Sequence, residues 1–326
     1  MDLFEPITKS KRTLFISARP ELPGEPSEIV YDGDGLRAAF AAKQPMRFLG
    51  CDTPEVAYRV PISPTATKDR QKLDGPLWAD FLDEPFAPGK WPEMPNPGLH
   101  PIVQQSLAAR CGPDAAANHG RHAKAAREAL VKLIVDDRMA LGLPADQPTK
   151  LYLALSHEVF DTYGRLLVFA NTDVADPALR PRIYNERQIA NGFAQPFFIW
   201  PNVDPFRGKP NVTDAALPPR LLRLQASQGA LGRSRADAAA ARTAGIGIYS
   251  PADPLRLGAF ELRMLGDRKL PSRWVIDLGA DADDPTLLPP EGYPLVEHAE
   301  NRLFVPQEYV PLFVQKGWQP ARLVRW

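Results

Sequence analysis

Asp32 and Asp34 bracket Gly33 at one expected strand end, while Asp52, Thr53 and Glu55 close another. Arg47 lies in the strand that feeds the second group, and Arg165 follows a later turn. Hard cations such as Ca²⁺ take carboxylate and backbone carbonyl oxygens. Asp34, Asp52 and the Thr53 carbonyl therefore supply the protein half of an oxygen-ligand site with positions left for water, and Glu55 remains to act on a water. Arg47 and Arg165 present planar forks that match phosphate oxygens and stay charged at any working pH. A cation, a base and two arginines together describe phosphodiester hydrolysis.

Each of these residues also has a plainer role. Asp-Gly is a common turn pair, so Asp34 alone reads as a hairpin residue, and the arginines alone read as surface partners of the same carboxylates. His119 and His122 stand three apart at a helix start with neither an HExxH pattern nor a third ligand, and read as solvent-facing or capping. Cys51 reads as a small buried residue. Arg220, Arg223, Arg233, Arg235 and Arg242 read as the solvated face of a helix.

The elements that must position the site follow from periodicity. Residues 27–55 read as a three-strand meander, with apolar runs at Ile29 and Val30, Leu36 to Phe40, and Met46 to Cys51 separated by Asp-Gly and Lys-Gln-Pro turns. A second strand pair is expected at 150–155 and 166–170, joined by a turn at Gly164. Helices are expected at 118–135, at 182–194 and at 217–244, the last opening on Pro218 and Pro219, open to interruption at Gly229 and Gly232, and stopping before Gly245. Residues 58–118 read as a long proline-rich insertion with one short helix near 102–109, and such segments are usually functional or disordered.

Composition bounds the rest. The chain has 326 residues, 44% hydrophobic and 24% charged, which is ordinary globular usage. Its 39 basic and 39 acidic residues cancel, which excludes a uniformly basic nucleic-acid coat while allowing a local basic cleft. The 36 prolines imply long ordered connections. Two cysteines exclude a disulfide framework. Neither a secretory leader nor a run of about 18 apolar residues is present, so no membrane partner and a cytoplasmic location are expected.

The segments VYDGDG, MRFLGCDTPE, DTYGRLLVF and YNERQIANGFA occur in this order, and together they resemble staphylococcal (thermo)nuclease-type domains. The resemblance covers residues 27–250 apart from the insertion. It implies an OB-type five-stranded β-barrel with three helices, and a Ca²⁺-dependent nuclease that cuts DNA and RNA and leaves 3′-phosphates. It makes Asp34 and Asp52 the metal carboxylates and Thr53 the carbonyl ligand. Glu55 matches the residue that activates water, and Arg47 and Arg165 match those that hold the scissile phosphate. Tyr163 matches a position associated with a nucleotide phosphate, and Asp161 heads the same turn and holds the loop. Phe198 and Trp200 stand where the family has tyrosines, which leaves base stacking and core burial both open. Gly35 stands where a threonine is usual, and Thr162 where a lysine often lies.

The expected layout is an N-terminal extension (1–26), a nuclease domain (27–250) containing the insertion 58–118, and a small α+β C-terminal appendage (251–326). Trp78, Phe81, Phe86 and Trp91 are expected to dock the insertion onto the barrel as a cover, with packing against the tail as the alternative. The expected function is a metal-dependent phosphodiesterase or endonuclease with a nucleic-acid substrate. Its rivals are a catalytically weak nucleic-acid- or protein-binding module of the same fold and a regulated defence nuclease.

Overall fold

Short β-prone runs separated by turn residues give four strands where the sequence predicts three: β1 (Val30–Asp32), β2 (Gly35–Ala39), β3 (Lys43–Phe48) and β4 (Gly50–Asp52). The computed structural model describes residues 30–39, 43–62, 70–143, 149–174 and 176–323, so the expected N-terminal extension lies outside the described residues. The run from Met46 to Cys51 splits because Gly50 adopts a φ of 76°, a left-handed conformation that glycine tolerates and other residues resist. As a result β3 and β4 join different sheets.

The chain continues through an antiparallel pair, β5 (Ala57–Arg59) with β6 (Arg70–Lys72), then α1 (Pro76–Asp83), α2 (Pro101–Ala108) and the long α3 (Ala115–Ala140). Next come β7 (Leu151–Ala154), β8 (Leu166–Thr172), α4 (Tyr184–Ala190), β9 (Gln195–Ile199), α5 (Val212–Ala215), α6 (Pro219–Ala226) and α7 (Gly229–Ala244). The final part holds α8 (Ala259–Asp267), β10 (Arg273–Asp277), β11 (Thr286–Leu287), β12 (Arg302–Pro306), α9 (Val310–Gln315) and β13 (Gln319–Pro320).

The fold is α+β with mixed sheets. One sheet runs β1-β2-β3-β8-β7, with β3 and β8 parallel from Met46 opposite Leu166 to Phe48 opposite Val168. Among the described residues it does not close into the expected barrel; β1 and β7 are its two edges. Leu130 and Ile134 of α3 cover this sheet, sharing a core with Met46, Phe48, Val168, Tyr184 and Ile189. The predicted long helix at 217–244 is two helices, α6 and α7, separated at Ser227 and Gln228.

Among its described residues the insertion carries the β5–β6 pair and the helices α1 and α2. Pro76 and Pro101 each stand in the first turn of a helix, where a missing N–H costs nothing, so prolines that read as irregular chain in fact start helices. Its aromatic anchors do not dock on the first sheet as a cover. Trp78, Phe81 and Leu82 are fully buried with Leu257, Leu262, Leu265 and Tyr293, and Phe86 and Trp91 pack on the same cluster. This is packing against the tail.

Nor is the tail a separate appendage. The second sheet runs β10-β12-β9-β4, crossing residue 250, with Leu303 of β12 opposite Phe198 of β9 and Cys51 of β4 opposite Pro196. The arginines expected on a solvated helix face largely hold this tail. Arg223 donates to the carbonyls of Asp277, Ala282 and Asp284, Arg235 to those of Leu278 and Glu300, and Arg242 pairs with Glu300.

A chain ending at residue 250 therefore leaves Phe198, Trp200, Phe206 and Leu222 without the Ile276, Leu303, Val305, Phe313 and Trp318 side chains that cover them. Each uncovered aromatic costs about 3–5 kcal/mol on the scale of large-to-small core substitutions, against a total stability of about 5–15 kcal/mol. Residues 1–250 alone are expected to show no cooperative thermal transition by near-ultraviolet circular dichroism. A sharp native-like melt would establish the tail as dispensable.

Candidate functional site

The bend at Gly50 sets Arg47, on β3, against Asp52, at the end of β4. Arg47 Nη2 donates to Asp52 Oδ1 in a short contact and to Asp34 Oδ2 at 3.3 Å. Asp34 is delivered by the β1–β2 turn, pinned where Phe48 N–H donates to the Asp34 carbonyl at 2.8 Å. That turn fits only because residue 33 is glycine. A Cβ there would stand 2.6 Å from the Ala126 Cβ and 2.7 Å from the Thr53 Cγ2. Thr53 N–H then donates to Asp34 Oδ2 at 2.9 Å, closing the cluster.

Asp34, Asp52, Thr53 and Glu55 are all buried. Glu55 is positioned by α3: its backbone N–H donates to His119 Nε2 at 2.8 Å. His119 is thus a buried neutral ring that orders the Glu55 backbone rather than a solvent-facing one. Cys51 is buried as expected, and burial pushes its thiol far above the ordinary value.

A second arginine, absent from the sequence-based set, completes the cluster. Arg263 of α8 donates to Asp52 through Nη1 at 3.0 Å and Nη2 at 2.9 Å, and to Glu55 Oε1 at 2.7 Å. It lies 208 residues beyond Glu55 in a segment read as an appendage, and no local pattern marks it.

The electrostatics follow. Burial alone would raise the Asp52 carboxyl, but Arg263 and then Arg47 overcome it and hold it below the usual carboxylate value. Asp34 is held well above that value, by burial first, with Arg47 offsetting only part. Asp32 is raised by burial and then by the Glu55 charge. Four acidic side chains thus share the cluster with Arg47 and Arg263, and Arg70 Nη2 stands 3.8 Å from Glu55 Oε2.

The donor chemistry suits a hard divalent cation. Among the described residues no three His, Cys, Asp or Glu side chains form a ligand cage, and the implied set is instead two carboxylates and the Thr53 carbonyl. Asp34 and Asp52 converge on one Arg47 nitrogen, and the buried Asp32 Oδ1 has no hydrogen-bond partner among the described residues. Carboxylate and carbonyl oxygens are the donors that Ca²⁺ takes.

Beside the cluster opens a cleft of about 660 Å³ whose wall carries Arg47, Tyr163, Arg165 and Arg263. Asp161 shapes the Arg165 turn as expected. Its Oδ1 accepts from the Tyr163 and Arg165 amides at 2.9 Å each, and its Oδ2 from Arg165 Nε at 2.7 Å. Arg165 does not touch the carboxylate cluster, and its Nη nitrogens carry no hydrogen bond among the described residues. Tyr163 is exposed, with its hydroxyl 3.2 Å from Arg59 Nη2.

Phe198 and Trp200 are not available for stacking. Both are buried in the core, and Trp200 Nε1 donates to the Ala215 carbonyl at 3.2 Å. Side chains alternate along a strand, so it is Phe197 of β9 that faces the cleft, beside Phe260 of α8.

Burial pushes the His119 imidazole down from 6.5 to about 3. A base whose folded value is depressed contributes stability that is present above its unfolded value and lost as pH falls towards the folded one. Between pH 7 and pH 5 this group alone removes about 2 kcal/mol. His119→Gln keeps an acceptor for the Glu55 amide without the titration. The parent should therefore lose about 2 kcal/mol more than the variant across that interval, by urea unfolding at both pH values; equal losses would contradict the assignment.

No protein-family model matches this chain, and no curated protein matches it.

Proposed function

We propose that this chain is a metal-dependent phosphodiesterase acting on nucleic acid. The observation that carries the reading is the convergence of Asp34, Arg47, Asp52, Thr53 and Glu55 into one buried cluster beside a cleft that also carries Arg165. Strands from both sides of the insertion make up the five-stranded sheet beneath the site, which supports the OB-type reading of the fold.

Asp34, Asp52 and the Thr53 carbonyl would hold the cation, which when bound polarises a phosphate oxygen. Glu55 accepts a proton from the attacking water. Arg165 offers its two Nη groups to the phosphate, and its Nε bond to Asp161 fixes the plane of the fork. Arg47 neutralises charge that grows on the phosphate oxygens, a preorganised contact needing no reorientation during reaction. Water adds to phosphorus, the bond to the 5′ oxygen breaks, and that oxygen leaves with a proton, giving the 3′-phosphate end that the family resemblance implies.

Arg263 favours a second reading. With both Asp52 oxygens and one Glu55 oxygen engaged, the cluster resembles a restrained or binding-only version of the site.

The two readings separate in one assay. Single-stranded DNA and RNA incubated with the protein are expected to be cut in Ca²⁺ and left intact with chelator. Arg165→Ala should cut turnover at least about 100-fold, the scale of losing a preorganised transition-state contact, with an unchanged thermal midpoint. Equal cleavage with chelator removes the metal from the reading, and binding without cleavage in either condition favours the second reading.

A further inference from the structure

The carboxylate cluster leaves one cation of the cleft unexplained. Arg47, Arg165 and Arg263 each meet a carboxylate, and Lys269 Nζ lies 3.6 Å from Asp267. Arg273 also lines the cleft, yet among the described residues its guanidinium makes no hydrogen bond and no ion pair. Its recorded neighbour is the Phe197 ring, whose centroid lies 5.9 Å away. Glu158 shares the cleft wall without pairing with it, its Oε2 accepting instead from Asn202 at 2.9 Å.

A half-buried arginine without an anion is costly to keep, and burial depresses its affinity for the proton. Its planar fork matches phosphate better than any other common anion apart from carboxylate. The surface beside it is aromatic. Phe197 and Phe260 stack with centroids 5.4 Å apart and planes 18° from parallel, both partly exposed on the cleft wall. Aromatic faces interleaved with cations are the means by which proteins hold single-stranded nucleic acid, because an unpaired base can turn its face to a ring. In a duplex those faces are already stacked.

We propose that Arg273 and the Phe197–Phe260 wall form a second phosphate-and-base subsite, which takes a nucleotide flanking the scissile phosphodiester of single-stranded DNA or RNA. The proposal rests on the phosphodiesterase reading above and names its substrate class. Three of its residues come from segments outside the motifs that define the carboxylate cluster: Phe197 from β9, Phe260 from α8 and Arg273 from β10. The tail, with Phe197 of β9, thereby selects the strand state of the substrate while the carboxylate cluster supplies the chemistry.

The test is equilibrium binding in chelator, which suspends turnover, read by fluorescence anisotropy. The probes are a labelled thymidine hexamer, a hexamer of abasic residues and a 12-base-pair duplex. The parent is expected to bind the thymidine hexamer about tenfold more tightly than the abasic one, the scale of one stacked base, and to bind the duplex more weakly than either. Arg273→Gln should weaken the thymidine hexamer about tenfold and reduce the slope of log affinity against log salt by about 0.7, one single-strand phosphate contact. Arg273→Lys should recover the slope.

An unchanged affinity and slope in Arg273→Gln overturns the phosphate role. Equal binding of thymidine and abasic hexamers by the parent overturns the base role, and this arm needs no variant to fold. Either result leaves the phosphodiesterase reading standing if Ca²⁺-dependent cleavage is seen. Failure of the parent to bind any of the three probes, together with absence of cleavage, overturns both.

Discussion

Asp52 is held by two arginines that approach from opposite ends of the sequence, one 5 residues before it and one 211 after, and much of the fold exists to bring them there. An exposed ion pair contributes at most about 1 kcal/mol, but removing one partner of a buried pair costs about 3–5 kcal/mol. Asp52 is buried, so the second figure applies. Arg47 reaches it only through the bend at Gly50. Arg263 reaches it only if α8 is fixed, and α8 is fixed by the insertion. Glu261, two residues earlier, takes a bidentate fork from Arg110 at 2.7 and 2.6 Å and a 3.0 Å hydrogen bond from the Tyr293 hydroxyl. The insertion and the tail therefore act as one body, joined by the Trp78 and Phe81 core, with a guanidinium in the carboxylate cluster as its point of contact with the site.

What was legible in the sequence was what is local. The strands around residues 30–52, the pair at 151–154 and 166–172, and the carboxylates at their ends follow from alternation and turn chemistry over a few residues. The Asp161 turn follows from the same kind of reasoning. Contacts that depend on tertiary proximity left no trace. His119 reads as one of two helix-start histidines until its Nε2 is seen to accept the Glu55 amide. Arg263 is an ordinary basic residue in a helical stretch until α8 is packed. Of the two readings open for Phe198 and Trp200, core burial is the one the structure shows. In a strand, neighbouring side chains point to opposite faces, so choosing Phe198 over Phe197 exchanges the core for the cleft. Only the pairing of β9 between β4 and β12 fixes which face is which.

The prolines misled for a related reason. Their abundance says that the chain has many places where a backbone N–H is dispensable. A helix start is such a place as much as a loop is. Pro76, Pro101 and Pro219 all stand in first turns, and the expected irregular cover is instead a hairpin-like pair and two helices with a buried aromatic core.

A net charge of zero conceals an ordered separation of charge at the site. Behind Arg47 and Arg263 lie Asp34, Asp52 and Glu55; in front of them lies the cleft, whose wall also carries Arg165, Lys269 and Arg273. Glu158, Asp161 and Asp267 share that wall, so an anion entering the cleft meets cations interleaved with carboxylates, while Asp34, Asp52 and Glu55 do not line it. Arg47 belongs to both layers, since the nitrogen that holds Asp34 and Asp52 is on the residue proposed to neutralise the phosphate. In that reaction, any turn of Arg47 towards a phosphate frees carboxylate oxygens, and any cation held by those oxygens frees Arg47. Under the proposed function each ligand would thereby improve the site for the other, and such coupling is reciprocal by thermodynamic necessity. Arg263 enters the same balance from the tail, because the oxygens it engages on Asp52 are the ones the proposed cation would need. In the proposed reaction the two halves of the chemistry would be coupled through arginine side chains shared between acid and substrate, and the body formed by the insertion and the tail sets how firmly one of them is held.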